Sequence, residues 1–301
     1  RDALAALTEA RLALPPRREA AVSPLPEGTC AAREPELTVS VTNPAQVTAE
    51  LLAQSPARVY LPLEALEGLS SLPESDTEWC AVLPRIWRDR DEPDLRRRLE
   101  HARKLGVTGV VLGNIGHLSL TEGLDLSRYG DFGLNVFNSR SLAYLRDKGL
   151  ASACASFELR FSQIRDLKKL LPVEAIVYGR LPLMITENCL VQNETGCRLD
   201  RQGPCVPEDG PCRCGQPNVL VDRTGAAFPL LPAYGHRTEI QNSKPLYLAD
   251  RPEHRRLGLA YARLRFTTET AEECVSVVQN YLDAAPAAGD FTRGLYERGV
   301  E

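Results

Sequence analysis

The chain has 301 residues, 43% of them hydrophobic and 25% charged, enough to bury a large core and too apolar for a disordered segment. Its net charge of −4 gives no global attraction to nucleic acid, so any RNA contact requires a local basic patch. No apolar run approaches membrane-spanning length, and the opening Arg1-Asp2-Ala3-Leu4 lacks signal-peptide architecture, so a cytoplasmic protein with no membrane partner is expected. A first residue other than Met suggests a fragment of a longer protein, whose N-terminal half would then be a partner.

Residues 1–36 read as an N-terminal helix and a linker. Leu4, Leu7 and Leu14 form one helical stripe ending at Pro15-Pro16, and Pro, Ala and Glu dominate as far as residue 36, with Cys30 a spectator thiol. From residue 37 strand and helix signals alternate. Strands are predicted at 37–42, 58–63, 80–86, 107–112, 133–137, 151–155 and 175–178, several of them short apolar runs of the kind covered on both faces. Between them, Asn43-Pro44 caps and opens a helix, Asp94 caps another that stops at Gly106, and Ser139 and Ser162 precede two more. Seven such units in series favour a TIM-like (β/α) barrel over 37–186 rather than an open sheet.

A polar side chain stands at the carboxyl end of nearly every predicted strand: Asn43, Glu64, Arg85, Asn114, Asn138, Glu158 and Arg180. In a barrel these ends converge on the ligand-binding face. Asn43 is accounted for as an N-cap, Asn138 as a turn former and Glu64 as a solvated side chain. Arg85, Asn114, Glu158 and Arg180 are the candidates for catalytic contacts, with Arg85, Arg180 and Arg237 placed to meet a phosphate or carboxylate. The Arg96-Arg97-Arg98 run reads as a water-bathed helix face.

Residues 187–250 hold five of the nine cysteines: Cys189, Cys197, Cys205, Cys212 and Cys214. With no secreted disulfide pattern around them, they read as soft ligands, and Gly196, Gly203, Gly210 and Gly215 with nearby prolines let the chain wrap a metal. The paired Cys-x-x-Cys knuckles of structural zinc are absent, which leaves an iron–sulfur cluster, zinc or a plain thiol or disulfide hairpin open. Candidate metal ligands are Cys189, Cys197, Cys212, Cys214 and His236. Residues 251–301 read as a small C-terminal α+β extension, a strand at 257–266 followed by a helix opened by the capping box Thr270-Ala-Glu-Glu273 and carrying a core thiol, Cys274. No Gly-x-Ser-x-Gly elbow and no His-Glu-x-x-His helix occurs. Of the four histidines, His101 and His254 sit in charged surroundings and read as solvated, and His117 is the one near the predicted rim; Cys154 reads as core.

Several motifs together resemble the peptidase U32 family, also called collagenase-like peptidases: Tyr178-Gly-Arg-Leu-Pro-Leu-Met184, Glu187-Asn-Cys189, Val221-Asp-Arg-Thr-Gly225 and Arg237-Thr-Glu-Ile-Gln-Asn242, with Gly113-Asn114-Ile-Gly116, Gly130-Asp131, Asn138-Ser139 and Ser156-Phe-Glu158 upstream. The likeness is strongest to the C-terminal half of long bacterial members. It implies a barrel, and in several members a four-iron four-sulfur cluster on four cysteines serving oxygen-independent hydroxylation of a tRNA or rRNA base or of the ubiquinone ring; other members are named for collagen degradation. Carried over, the cluster ligands would be Cys189, Cys197, Cys214 and the position held here by His236, a departure that leaves His236, Cys212 and Cys205 as alternatives for the fourth place. The expectation is therefore an iron–sulfur hydroxylase acting on RNA. A peptidase, or a non-catalytic barrel with a structural metal that binds RNA or a partner chain, is the alternative.

Overall fold

The computed structural model describes residues 1–14, 21–25, 27–28, 34–195, 198–199, 205–206 and 212–300. Eight parallel strands close a barrel: β1 (Glu36–Ser40), β2 (Arg58–Pro62), β3 (Glu78–Val82), β4 (Gly109–Leu112), β5 (Ser127–Gly130), β6 (Ser152–Cys154), β7 (Val173–Gly179) and, after an insertion, β15 (Tyr261–Arg265). β15 lies between β7 and β1, and β6 pairs with β7 to complete the circuit. The insertion holds β8 (Pro182–Thr186), the two-residue strands β9 (Arg198–Leu199) and β10 (Cys205–Val206), then β11 (Asn218–Val221), β12 (Ala227–Ala233), β13 (Arg237–Gln241) and β14 (Leu246–Tyr247). β11, β12, β13 and β8 form an antiparallel sheet in that order, and β14 runs antiparallel on β7.

Two readings of the sequence need correction here. The barrel does not end at residue 186: the strand expected in a separate C-terminal extension is its eighth strand, and the Cys-rich segment is an insertion between the seventh and eighth. The fifth strand is Ser127–Gly130 rather than 133–137. It does not look like a buried strand, because Ser127 is exposed, Arg128 bonds the Lys148 carbonyl outside the barrel, and only Tyr129 points inward, where its Oη donates to Glu78 Oε1 at 2.7 Å. Residues 132–134 form a tight turn capped by Asp131, and only Val136 bridges to Ala155.

Helices pack outside the strands: α2 (Ala49–Leu52), α3 (Glu92–Lys104), α4 (His117–Leu120), α5 (Ser139–Asp147), α6 (Phe161–Asp166) and α8 (Ala271–Leu282). Two more stand apart from that layer, α1 (Asp2–Leu12), which buries none of its residues, and α7 (Leu190–Thr195) in the insertion. The caps are local. Asn43 accepts from Ala45 in a single 3-10 turn, so Thr48, not Asn43, caps α2. Asn138 accepts from the amides of Arg140 and Ser141 and starts α5, and Thr270 and Glu273 make the expected capping box. Asp94 lies inside the first turn of α3, bound to Arg97 and Arg98 rather than capping.

Alternation along each strand divides the core into two layers. Outward residues such as Val39, Val59, Leu61, Ala81, Val110, Leu112 and Leu264 pack against the helices in one large apolar layer, each fully buried Leu or Val worth roughly 1.5–3 kcal/mol. Inward, a small cluster of Tyr60, Cys80, Val111 and Tyr129 is joined by charge. Arg263, fully buried, pairs with Asp131 and Glu174, and Glu174 also accepts from Thr38 Oγ1 at 2.6 Å and Tyr60 Oη at 3.0 Å. Burial opposes its charge, yet the two carboxylates hold the Arg263 pKa well above its ordinary value. At the amino end Arg58 lies between the rings of Tyr129 and Tyr261, 3.8 and 4.0 Å from their centroids, and bonds Glu78 at 2.9 Å. β7 and β15 meet closely at Gly179: its φ is +114°, and a Cβ there would stand 1.9 Å from the Arg265 carbonyl oxygen.

Candidate functional site

A cavity of about 1620 Å³ opens at the carboxyl ends of the strands, roofed by the inserted sheet. Its floor is Asp131 and Arg263, the top of the interior charge network. Above them Glu239 of β13 takes Arg85 on one carboxylate oxygen and Arg265 on the other, the second at 3.2 Å. Arg265 also donates to Gln241 Oε1 at 2.8 Å and to the Arg180 carbonyl at 2.6 Å. Both guanidiniums lie near the face of Phe132, 5.1 Å for Arg85 and 6.0 Å for Arg265. Burial lowers the Arg265 pKa, so the charge of Glu239 is what makes that cation tolerable.

Arg85 is held by its neighbours. Asn114 Nδ2 donates to the Arg85 carbonyl at 3.1 Å, and its Oδ1 accepts from Gly116 at 2.8 Å. A Cβ on Gly133 would sit 2.4 Å from the Gly113 carbonyl oxygen and 3.2 Å from Arg85 Cδ, which explains the glycines on both loops.

The other wall carries thiols and an imidazole. Cys189, Cys214 and His236 all line this cavity. Arg237 ties the loops of Cys189 and His236 together: 4% exposed, it clamps Glu187 with two bonds of 3.1 and 3.2 Å and donates to the Tyr234 carbonyl at 3.0 Å. Glu187 leads into Cys189, and the Leu190 amide donates to Thr238 Oγ1 at 3.0 Å. The turn before Arg237 is left-handed at both Gly235 (φ +71°) and His236 (φ +58°), an uncommon conformation for a residue with a side chain.

Of the expected catalytic residues, Arg85 lies in the cavity, and Asn114 supports it from an adjoining side cavity. Arg180 points elsewhere, bonding the carbonyls of Asn242 and Ser243, and half-buried Glu158 lines neither cavity. Arg237 is a clamp rather than an anion contact. Glu64 is half-buried in the cavity wall, with burial raising its pKa, and is not simply solvated. Arg98, 18% exposed, also lines the wall, bound to Asp94 and Glu67, so only Arg96 and Arg97 fit the water-bathed face. His254 is buried, not solvated. Glu239, Arg263, Arg265 and Asp131 are not among the polar rim residues expected from the sequence. The signal for two of them was present: arginines two apart in Tyr261-Ala-Arg-Leu-Arg265 share one strand face.

Cys197 lies outside the described residues, as does Cys30, and of Cys205 only the backbone strand is described. Cys212 Sγ is 3.0 Å from Cys214 Sγ. Two thiolates on one tetrahedral zinc stand about 3.8 Å apart, so the pair as placed does not serve as two ligands of one ion. Among the described residues no three His, Cys, Asp or Glu side chains are arranged to hold a metal ion. Cys189, Cys214 and His236 are donors of the kind a soft metal takes and they line one cavity, but they are not gathered about a common point.

A family model described as peptidase family U32 matches residues 63–217, just over half of the chain. The chain belongs to peptidase family U32. The match runs from the end of β2 through the barrel and into the Cys-rich insertion. Among solved structures, the U32 peptidase Mk0906 is similar over 85% of this chain and 98% of its own, at 11% identity and a TM-score of 0.42. Thiamine phosphate pyrophosphorylase from Pyrococcus furiosus is similar over 82% of this chain and 96% of its own, at 9% identity and 0.38. At these scores neither likeness carries an argument about mechanism. No curated protein matches the chain. Among the described residues of this U32 member, no helix is long and apolar enough to cross a membrane.

Proposed function

We propose that this U32 member is an iron–sulfur-dependent, oxygen-independent hydroxylase of an RNA base. The observation that carries the reading is that Cys189, Cys214 and His236 line the same cavity as Arg85 and Arg265. Cys189, Cys214 and His236, with Cys197, would hold a four-iron four-sulfur cluster, and the bound cluster would supply one-electron chemistry at the cavity wall. The chain's own residues do the rest. Arg85, 26% exposed, turns its guanidinium toward an anionic group while Glu239 holds it, Arg265 holds Glu239 in turn, and the inserted sheet covers the floor. Zinc in place of iron is the alternative for the metal.

The peptidase reading has less support. His117, expected from the sequence near the rim, is fully buried and lines neither cavity, and Cys154 is buried with its thiol pKa pushed up by burial. The test is mass spectrometry of nucleosides from total RNA of a deletion strain complemented with wild type or with Cys189→Ser. The reading expects a hydroxylated nucleoside, 16 Da heavier than its parent, that is restored by wild type alone. An unchanged nucleoside profile together with gelatin cleavage by the purified protein would replace hydroxylation with proteolysis.

A further inference from the structure

The motifs at Gly113-Asn114-Ile115-Gly116 and at Asn138 face a second cavity of about 750 Å³ beside the first. The two cavities share Arg85, Ile86 and Ile185, so Arg85 stands at their junction. Small-molecule sites run to about 1,000 Å³; the main cavity alone exceeds that, and the side cavity extends it along the rim. Two large apolar side chains are left open on its walls, Tyr144 at 48% exposure and Ile115 at 52%. Arg140, also exposed, lies at the same rim. Lys148 Nζ stands 5.5 Å from the Tyr144 ring centroid, and Arg140 donates to the Ser23 carbonyl at 2.9 Å, so a half-exposed ring with two cations near it meets the needs of an unstacked base and its phosphate.

We infer that the side cavity is a second nucleobase subsite: the base next to the modified one, in a single-stranded RNA segment, stacks on Tyr144 while the target base occupies the main cavity. This rests on the RNA reading above and adds to it a substrate of at least two adjoining unpaired nucleotides. Tyr144 is a positioning residue here, because it lies outside the main cavity.

The test is fluorescence anisotropy of a labelled single-stranded hexaribonucleotide of mixed sequence, with uridine monophosphate binding measured in parallel. Tyr144→Ala weakens the hexamer about tenfold and leaves the mononucleotide unchanged, while Tyr144→Phe, which keeps the ring, stays within about twofold of wild type. Because Tyr144 is half in solvent, both variants keep the fold, which their circular dichroism verifies. Equal hexamer affinity for wild type and Tyr144→Ala overturns the subsite and leaves the hydroxylase reading standing. Failure of wild type to bind the hexamer, or binding of gelatin peptides in its place, overturns both.

Discussion

Glu239 is the side chain on which the mouth of the barrel depends. Its partner Arg265 is 10% exposed and Arg85 is 26% exposed, so the two ion pairs differ in worth. Removing Glu239 strands a nearly buried guanidinium that keeps only neutral acceptors, Gln241 and the Arg180 carbonyl. Glu239→Ala is therefore expected to lower stability by about 2–4 kcal/mol, whereas Arg85→Ala, which leaves Glu239 paired to Arg265, costs about 1 kcal/mol. Urea unfolding midpoints of the two variants measure the difference, and equal midpoints would mean that Glu239 is not a latch. The same residues show why a sequence reveals a site unevenly. Arg85 is visible because it follows an apolar run. Glu239 belongs to an inserted sheet whose position over the barrel no local pattern encodes.

At the scale of elements, the alternation of strand and helix was legible because outward strand faces are apolar without interruption. What misled was polarity: exposed Ser127 and outward Arg128 flank the one inward ring of the fifth strand, Tyr129, while 261–265 was legible as a strand but not as the one that closes the barrel. The capping box at Thr270 was readable because a cap needs only its own turn, whereas Asn138, read as a turn former, is the cap of α5. The short helix α4 holds a group whose burial no pattern announces. Neither ring nitrogen of His117 makes a full hydrogen bond, and burial drives its pKa down to about 4, with the Pro84 backbone and Asp131 pulling weakly the other way. Since the folded pKa lies below the unfolded value near 6.5, the unfolded chain binds more protons between pH 6.5 and 4, and stability falls as pH drops through that interval. The loss attributable to His117 is on the order of 2–3 kcal/mol. Buried His254, also lowered, acts in the same direction. His117→Phe should lose less stability than wild type between those pH values in urea titrations; parallel slopes would show that His117 is not buried as a neutral ring.

At the scale of the molecule, the barrel and its insertion divide the work. The barrel supplies Arg263, Asp131 and Arg265 from strands locked by their neighbours, and the insertion brings Glu239, Cys189, Cys214 and His236 over the open end. Arg237 and Glu187 bind two loops of the insertion together, so the positions of Cys189 and His236 are set by a charged clamp. The cysteines were conspicuous in the sequence from their density alone; that they lie in an insertion between the seventh and eighth strands was not, because β15 returns to close the barrel only after the whole insertion has been laid down. The most direct test of this account is iron, zinc and acid-labile sulfide analysis of the full chain purified without oxygen, wild type beside Cys189→Ser and His236→Ala. The account predicts about four iron and four sulfide per wild-type chain and a loss of both in Cys189→Ser; wild-type protein holding neither iron nor sulfide, or zinc alone, would contradict it.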